Sequence, residues 1–402
     1  MADLKLKALV NGLDTLSADE ETALDSLRVA KNIDLSDKGK VSSMPSVKLV
    51  AAGKYHSLYF DSSVMLAVDD TVLKRINRKT QETETILTLP GRDMVAYCKL
   101  MDRVAFTNGE RIWSIGAEGA ALPVGIDTPS TPILSNTATG GLFEGRYGVA
   151  ITAISETGEE SGLSIADFID VPQGHGISLA MPSPSEETEF FGIYRTSHNG
   201  DVLYRCLRVP ANMSTVIVGS GNLGSAADTQ FLDRMPAGRI IRYWNGRLLS
   251  ARDNVLWFSE PMRYGLTSRR HNFVQFSHEI TMLQGTDSGI YVGTAKGEVY
   301  FLAGSDPATM EVRRTGGRKA IPLASAEIDL AELNPALQNI GSGRGAIWLA
   351  ENGFVVGLPS GSLLEAQRNR IHALKGEAGG IAVLDKRVRA TTRLSPWLFQ
   401  KH

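Results

Sequence analysis

Apolar and polar residues alternate in short runs along most of the chain. Runs of four to eight residues are broken by Gly, Asn or Asp turns, the pattern of strands joined by hairpins. Pairs such as Asn108-Gly109, Lys296-Gly297 and Asn352-Gly353 supply the positive φ that tight hairpins require. Residues 17–31 alone have a helical pattern, with Ser17 and Glu20 at the spacing of a capping box. The pattern predicts an all-β protein with one helix near its N-terminus.

Five segments repeat one order of elements: an apolar strand, a polar turn, a second apolar strand, another turn and an aromatic-containing strand. They cover residues 49–76, 94–115, 240–261, 280–304 and 340–366. Three- or four-stranded meanders that recur roughly every 40 residues are typical of β-propeller blades. Residues 379–394 are too short for a full blade, and we expect them to complete a blade begun by N-terminal strands. The repeats predict a β-propeller closed by the two ends of the chain.

The repeats are interrupted once, by residues 128–235. This segment begins with DTPSTP and ends with RMPAGR, and its short alternating strands suit an immunoglobulin-like sandwich. Residues 147–161, YGVAITAISETGEES, resemble the strand-turn-strand unit of fibronectin type III modules. The predicted domains are an N-terminal arm (1–40), a first propeller part (41–127), the inserted sandwich (128–235) and a second propeller part (236–402).

Charge is distributed unevenly along the 402 residues. The chain is 43% hydrophobic and 21% charged, as in ordinary soluble proteins, with a net charge of −2. Residues 1–233 hold 20 Lys and Arg against 30 Asp and Glu, a net charge of −10, and residues 234–402 hold 22 against 14, a net charge of +8. This division favours complementary surfaces on neighbouring subunits or one surface that faces nucleic acid. A solvated surface of mixed charge is the alternative without a functional role.

Cysteine content and terminal sequence bear on the compartment. Cys98 and Cys206 make no disulfide framework, which favours buried thiols in a reducing compartment. The N-terminal sequence MADLKLKALVNGLD lacks the apolar core of a signal peptide, and no run of about 18 apolar residues occurs. We expect a soluble protein made in the cytoplasm, without stable membrane association.

The glycines of residues 214–228, STVIVGSGNLGSAAD, have the spacing of a dinucleotide-binding turn. Thr215–Val218 form an apolar run, and Gly219, Gly221 and Gly224 follow it as G-x-G-x-x-G. A dinucleotide site also needs a crossover helix and an acidic residue about 20 residues later. Pro236 and Gly238 would cut that helix short, and residues 240–244 contain no carboxylate. We therefore interpret the glycines as turns at the sandwich edge that use positive φ, and expect no cofactor.

Other candidate chemistry is equally incomplete. The seven histidines (His56, His175, His198, His271, His278, His372 and His402) show no metal-ligand spacing. Residues 341–345, GSGRG, place Ser342 second, whereas a nucleophile elbow has its serine third. Asp69-Asp70 and Glu159-Glu160 are adjacent carboxylates at expected hairpin turns, and we interpret both pairs as solvated. The sequence predicts no catalytic, cofactor-binding or metal-binding residue, and a protein that is not an enzyme.

One N-terminal pattern resembles the opening of a class of bacteriophage tail proteins. In residues 28–59, Asn32, Asp34, Gly39, Pro45 and the triplet His56-Ser57-Leu58 match it. Met44 and Ser46 stand where that class has Arg and Gly around the proline. The later segments WNGRLLSARDNVLWFSEP (244–261) and ITMLQGTDSGIYVGTAKGEVYFLAG (280–304) resemble two blades of the same proteins. The family that these segments resemble is the tail nozzle or hub protein of short-tailed phages.

This resemblance implies a structural virion protein and no cofactor. Members are β-propellers with inserted domains, arranged as a hexameric ring that extends the tail tube below the portal and adaptor rings. The expected partners are other copies of the chain, the tail adaptor or head-to-tail connector, tail fibre or needle proteins, and genomic DNA in transit. The expected location is the tail of the virion.

Two alternatives remain open from the sequence. A propeller that binds or degrades carbohydrate would need carboxylates grouped at its central channel. A head-completion stopper would differ from a nozzle by its position in the particle.

Overall fold

The computed structural model describes residues 12–393, with gaps at 19, 24, 31–32, 36–38, 44–48, 50, 334–341, 366, 368–369, 372–373, 375 and 385–386. In this part of the chain the secondary structure is almost entirely strands, joined by one 3-10 turn at Leu330–Glu332 (η1). The predicted all-β class is confirmed. Among the described residues, no helix has the length and apolar character needed to cross a membrane.

The strands are numbered in chain order. The first group comprises β1 (Gly12–Leu13), β2 (Ser26–Leu27), β3 (Ile33–Leu35), β4 (Val41–Ser43), β5 (Tyr55–Phe60), β6 (Met65–Asp69), β7 (Val72–Ile76) and β8 (Thr83–Thr88). The second group comprises β9 (Ala96–Leu100), β10 (Arg103–Thr107), β11 (Ile112–Ile115), β12 (Leu122–Pro123), β13 (Ile133–Thr137), β14 (Gly145–Ile154), β15 (Asp167–Val171), β16 (Gly176–Ala180), β17 (Phe190–Thr196), β18 (Leu203–Pro210) and β19 (Thr215–Val218).

The remaining strands follow the sandwich segment. They are β20 (Asp233–Arg234), β21 (Ile240–Trp244), β22 (Arg247–Arg252), β23 (Val255–Phe258), β24 (Leu266–Thr267), β25 (Phe273–Gln275), β26 (Ile280–Gly285), β27 (Gly289–Thr294) and β28 (Val299–Ala303). Then come β29 (Glu311–Arg314), β30 (Ala320–Asp329), β31 (Arg344–Ala350), β32 (Gly353–Gly357), β33 (Leu363–Leu364), β34 (Ala378–Leu384) and β35 (Arg387–Arg393).

The chain divides into two compact units. The first unit contains residues 1–96, 253–255 and 276–402, and the second contains residues 97–252 and 256–275. Each unit contains four-stranded sheets whose strand order follows the chain. Neighbouring strands in such a meander are joined by short turns, so the alternating pattern of the sequence maps onto them directly.

Three four-stranded sheets belong to the first unit. Their orders are β5-β6-β7-β8, β26-β27-β28-β29 and β30-β31-β32-β33, and every neighbouring pair is antiparallel. The core that joins the last two sheets centres on Tyr291, whose ring centroid lies 5.2 Å from that of Trp348 and 4.8 Å from that of Phe301. The Tyr291 hydroxyl donates a hydrogen bond of 2.7 Å to the Leu358 carbonyl, so this buried polar group is satisfied.

The C-terminal hairpin differs from its prediction. β34 pairs with β35 in a two-stranded sheet, and among the described residues neither N-terminal hairpin strand joins it. Instead Ile381 and Val383 pack against a buried cluster that includes Ile328 and Ile347. Alternate residues of β34 point to one side, so their apolar side chains cover the neighbouring sheet. The hairpin therefore covers a sheet of its own unit, and the expectation that it completes a blade begun by N-terminal strands is wrong for this part of the chain.

The second unit contains four-stranded sheets ordered β9-β10-β11-β12 and β21-β22-β23-β25. The five predicted repeats thus correspond, in the described residues, to five four-stranded sheets. The fifth predicted repeat, residues 340–366, does not include the first strand of its sheet, since β30 ends at Asp329. Four-stranded meanders are the sheet type of propeller blades.

A two-sheet sandwich forms the rest of the second unit. One sheet has the order β13-β16-β19 and the other β15-β14-β17-β18. Their facing side chains share one buried cluster, which includes Val149, Ile151, Leu179, Phe191 and Val216. A sandwich is therefore present between residues 133 and 218. Its first strand pairs with its fourth, whereas an immunoglobulin constant domain pairs its first with its second, so the immunoglobulin or fibronectin class is not confirmed.

The predicted helix at residues 17–31 is wrong for the described residues there. They form turns and strand β2, which pairs in parallel with β1. The Asp14 side chain accepts hydrogen bonds from the backbone of Leu16 and Ser17, at 3.1 and 3.0 Å, and from the Ser17 hydroxyl at 2.8 Å. Ser17 is therefore held by an Asx turn rather than as the cap of a helix.

Candidate functional site

A cleft of about 750 Å³ lies in the second unit. Five segments line it: the β9–β10 turn with β12, the turn at 157–160, strands β17 and β18 at Tyr194 and Arg205, residues 225–229, and residues 262–266. It brings several ionisable side chains together. A cleft with convergent polar groups is the default candidate for a binding site.

Glu160 is the acceptor at the centre of one hydrogen-bond network in the cleft. Its Oε1 accepts hydrogen bonds from the Thr152 hydroxyl at 2.5 Å and the Tyr194 hydroxyl at 2.8 Å, and it lies 2.7 Å from Nη2 of Arg205. Burial is the main cause of the raised pKa of Tyr194, and its hydrogen bond to Glu160 adds to it. Tyr194 therefore stays protonated and donates to the carboxylate. The network holds the Glu160 carboxylate in place, and the Arg205 guanidinium balances its negative charge.

Glu159 faces the same cleft but has a different environment. Its Oε1 accepts a hydrogen bond of 3.0 Å from the backbone N–H of Gly125. Burial raises the pKa of the Glu159 carboxyl, and this hydrogen bond offsets only part of the effect. A Cβ on Gly265 would lie 2.0 Å from Glu159 Oε1 and 2.5 Å from the Gly125 Cα, so only glycine fits at position 265.

The prediction that Glu159 and Glu160 are solvated is therefore wrong. Residues 155–159 form a turn rather than a strand, closed by a hydrogen bond of 2.9 Å from the Ser155 N–H to the Glu159 carbonyl. Neighbouring residues point to opposite faces only on a strand, so this alternation does not separate two carboxylates at a turn. Both carboxylates can then line one cleft, and contacts with residues remote in sequence hold them there.

Two further arginines of the cleft, Arg103 and Arg263, also have partners within the protein. Arg263 pairs with Asp228, and this hydrogen bond holds the pKa of the Asp228 carboxyl below its usual range. Arg103 donates to the hydroxyl and the carbonyl of Ser114, at 3.0 and 2.9 Å. These guanidinium groups already have acceptors within the protein. The polar lining is consequently preorganised by its own pairs.

The rim of the cleft is apolar and exposed. Met101 is 57% exposed, Met262 59% and Leu122 38%. Both methionines have positive φ, 57° and 59°, because each lies in a tight turn. Flexible thioether side chains suit surfaces that adapt to a partner. An apolar rim above paired charges is an arrangement for binding.

His56 and Ser57 form a second arrangement, in the first unit, that resembles a hydrolase pair. His56 Nε2 lies 3.0 Å from the Asp70 carbonyl oxygen and therefore carries a proton, which leaves Nδ1 to accept from the Ser57 hydroxyl at 2.8 Å. Ser57 has a φ of 51° within a bulge of β5. However, a backbone carbonyl rather than a carboxylate faces His56 Nε2, and the Val95 N–H donates to Ser57 Oγ at 2.9 Å. We interpret the pair as a link between the bulge and the segment before β9.

The glycine stretch forms a connection after strand β19. All of residues 219–239 are described, and no helix occurs there. The chain runs beside β18, with hydrogen bonds from the Gly224 N–H to the Arg205 carbonyl and from the Arg205 N–H to the Ser225 carbonyl, at 2.7 and 2.9 Å. The position at the edge of the sandwich is as predicted.

The reason for these glycines differs from the prediction. None of Gly219, Gly221 and Gly224 has a φ in the left-handed range. A Cβ on Gly219 would lie 2.5 Å from the Gly140 carbonyl oxygen, whereas a Cβ on Gly221 would meet no atom within 4 Å. Close backbone approach at Gly219 therefore replaces positive φ as the physical requirement.

The remaining singled-out residues lie apart from the cleft. Asp69 pairs with Lys74 at 2.7 Å and Asp70 with Arg92 at 2.8 Å, so both carboxylates of this turn have partners. Among described residues, no group of three His, Cys, Asp or Glu side chains is placed to hold a metal ion. Ser342 is exposed in a bend before β31. His372 and His402, with Asn32, Met44, Pro45 and Ser46 of the N-terminal motif, lie outside the described residues.

No protein-family model matches the chain, and no curated protein matches it. Solved structures with similarity include the WD40 β-propeller domain of Doa1, with 11% identity, a TM-score of 0.30 and coverage of 83% of this chain and 87% of that one. The WD40 domain of Neurospora crassa Pan2 has 10% identity, a TM-score of 0.31 and coverage of 82% and 83%. The computationally designed Ika8 protein has 12% identity, a TM-score of 0.28 and coverage of 85% and 94%. At these TM-scores the similarities assign neither fold nor function.

Proposed function

We propose that this protein is a structural subunit of the tail of a short-tailed bacteriophage. In this proposal it is a β-propeller with an inserted fibronectin type III-like sandwich, and copies of it form a ring, the nozzle or hub, below the portal and adaptor. The observation that carries the proposal is where the phage-like motifs lie. The two later segments, 244–261 and 280–304, occupy strands and turns of four-stranded sheets, so their resemblance concerns the framework of the protein.

The WNGR motif at 244–247 is one such framework element. It forms the turn between β21 and β22, with a φ of 44° at Asn245 and 75° at Gly246. Two successive positive-φ residues are the requirement of a type I′ hairpin turn, which Asn-Gly meets best. The SEP motif begins at Ser259, whose buried hydroxyl accepts from the Leu248 N–H at 2.9 Å and donates to the Glu260 carbonyl at 2.9 Å.

The GIYVGT motif is β27, and all six of its residues are buried. A Cβ on Gly289 would lie 2.3 Å from the Leu302 carbonyl oxygen in the neighbouring strand. The close approach of the neighbouring strand therefore requires glycine at position 289. Local structure requires these motif residues, which supports a framework shared with the tail proteins that the segments resemble.

Composition supports a protein whose surface contacts other subunits. The acidic first half and the basic second half provide opposite charge for a head-to-tail interface, the type that closes into a ring. No lysine occurs between Lys99 and Lys296 in the sequence, so Arg alone carries the positive charge there. Arg is enriched and Lys depleted at protein interfaces.

The proposal includes partners and location. A nozzle or hub would contact other copies of itself, the tail adaptor and fibre or needle proteins, and DNA would pass through the ring during ejection. The protein would be made in the host cytoplasm and reside in the virion, with a structural rather than an enzymatic role.

The test is the position and copy number of the protein in purified phage particles. We expect a reconstruction of the tail to show this chain as a coaxial ring, with about six copies per particle by quantitative mass spectrometry. Particles in which antibody labelling finds the chain on the capsid surface or at fibre tips would contradict the nozzle assignment. A coaxial ring directly inside the head vertex would identify a stopper instead.

The cleft favours one second candidate, a carbohydrate-binding or glycan-degrading propeller. Glu159 has a raised pKa because of burial, while neighbouring Glu160 is held in an ion pair, and carboxylates in different environments are a feature of glycosidases. The test is binding and hydrolysis of host-surface oligosaccharides by the purified protein, with Glu159→Gln and the exposed Glu156→Gln as matched variants. Activity lost only in Glu159→Gln would favour this function over the structural one.

A further inference from the structure

We propose that the cleft of the second unit binds the C-terminal segment, residues 394–402, of a neighbouring copy of the chain. The inference rests on the proposed ring, because it names the contact by which one subunit would hold the next. It concerns the cleft lined by Met101, Leu122, Glu160, Arg205 and Met262.

The apolar rim is the first reason to expect a peptide there. Met101, Leu122 and Met262 are large apolar side chains that line the cleft and remain exposed. Exposed apolar residues grouped around a concave surface mark a site for a protein partner. A glycan would use the polar lining but would leave this rim uncovered.

The charge of the lining is the second reason. Four carboxylates line the cleft, those of Asp102, Glu159, Glu160 and Asp228, against three guanidinium groups, those of Arg103, Arg205 and Arg263. The lining therefore favours an occupant with positive charge at one end. It contains no lysine.

The C-terminal sequence has the complementary character. Residues 394–402 read LSPWLFQKH, with Trp397, Leu398 and Phe399 in succession and Lys401 and His402 after them. Trp is among the residues that contribute most to binding at interfaces.

Its length fits an exchange between subunits. Strand β35 ends at Arg393, and nine residues follow. Nine residues span at most about 30 Å when extended, which sets the reach that the proposed contact can have. An apolar segment that leaves one subunit and fills a cleft of the next makes a heterologous contact, and such contacts form a ring when the rotation between copies closes.

The experiment uses disulfide trapping between full-length variants. One carries Ser225→Cys, at an exposed residue that lines the cleft, and the other carries Gln400→Cys, next to the apolar triplet. The native thiols interfere little, because burial raises the pKa of Cys98 to about 12 and of Cys206 to about 11. We expect mixing in the presence of the tail adaptor, which supplies the template for assembly, to give a disulfide-linked dimer of the two variants under mild oxidation.

Ser135→Cys is the matched control for position. Ser135 is exposed on the sandwich sheet strand β13 and does not line the cleft. We expect the cleft variant to link to Gln400→Cys at least about tenfold faster than this control, and Trp397→Ala with Phe399→Ala to remove the difference. Equal rates for both positions, or a cleft disulfide that forms only within one chain when both cysteines are present, would overturn the proposal.

The outcome separates this inference from the proposed function. A coaxial ring in the particle without the cleft disulfide would refute tail exchange and leave the nozzle assignment standing. If the cleft disulfide forms but the protein lies off the tail axis, the proposed contact between copies stands and the nozzle assignment is refuted. Oligosaccharide binding that protects the cleft residues, without any tail contact, would assign the cleft to a glycan and overturn the proposal.

Discussion

At the scale of one residue, burial of the Glu159 carboxyl group makes the stability of the fold depend on pH. The hydrogen bond that Glu159 accepts from the Gly125 N–H only partly offsets the burial that raises its pKa. Below the ordinary carboxyl value of 4.5, Glu159 is protonated in the folded and the unfolded chain. As pH rises above about 4.5, the unfolded chain loses this proton before the folded chain does. Glu159 therefore lowers the free energy of unfolding progressively, up to the pKa that it has in the folded chain.

Glu159→Gln should remove that loss, because a glutamine Oε1 can still accept from Gly125 without ionising. We expect the variant to gain stability relative to the native protein as pH rises from about 4 to about 7.5, measured by the free energy of unfolding in denaturant. Glu156→Gln, at an exposed residue of the same turn, is the control. A constant difference between Glu159→Gln and the native protein across this range would contradict the assigned cause.

Gly219 and Gly221 provide a matched test of backbone approach. Gly219→Ala places a Cβ against the Gly140 carbonyl, so we expect it to lower the free energy of unfolding by about 1–3 kcal/mol. Gly221→Ala meets open space at an unstrained φ and should change stability by less than about 1 kcal/mol. Thermal and chemical unfolding of the two variants measure this difference. Equal destabilisation would show that conformational freedom, rather than close approach, is the reason for these glycines.

At the scale of elements, alternation and turn residues predict the strands of this protein well. The Asn-Gly and Lys-Gly turns named from the sequence do separate neighbouring strands, since positive φ at Gly109, Gly297 and Gly353 is a local requirement. The helix at 17–31 was mispredicted because Asp14 supplies acceptors that a local pattern does not reveal. The cleft was missed because its lining comes from segments more than 100 residues apart, and only folding brings them together.

The C-terminal hairpin gives the prediction that belongs to this scale. Val383 of β34 packs on the cluster around Ile328 and Ile347, whereas its neighbour Ala382 points to the opposite side of the strand. Val383→Asp should therefore destabilise the hairpin by about 2–3 kcal/mol, because it places a carboxylate in an apolar contact. Hydrogen exchange should show faster exchange in β34 and β35, while strands of the second unit keep their protection. Ala382→Asp is the control, and an equal effect from both variants would place the hairpin contact elsewhere.

At the scale of the whole molecule, the division of charge determines what kind of assembly is expected. The net charges of −10 and +8 in the two parts of the chain nearly cancel, so they affect the contact between copies more than overall solubility. Exposed ion pairs contribute only about 0–1 kcal/mol each. Charge should therefore set the register and the rate of association, while apolar contacts determine how long subunits stay together.

Ring assembly should accordingly depend on salt and on a docking partner. We expect the isolated protein to remain monomeric in sedimentation experiments and to close into a ring when the tail adaptor supplies a symmetric template. Raising the salt concentration from about 0.05 M to about 0.5 M shortens the screening length, so assembly on the adaptor should slow markedly. Its endpoint should change less than its rate, because apolar contacts are not screened. An assembly rate independent of salt would show that the acidic and basic halves do not face each other across the subunit contact.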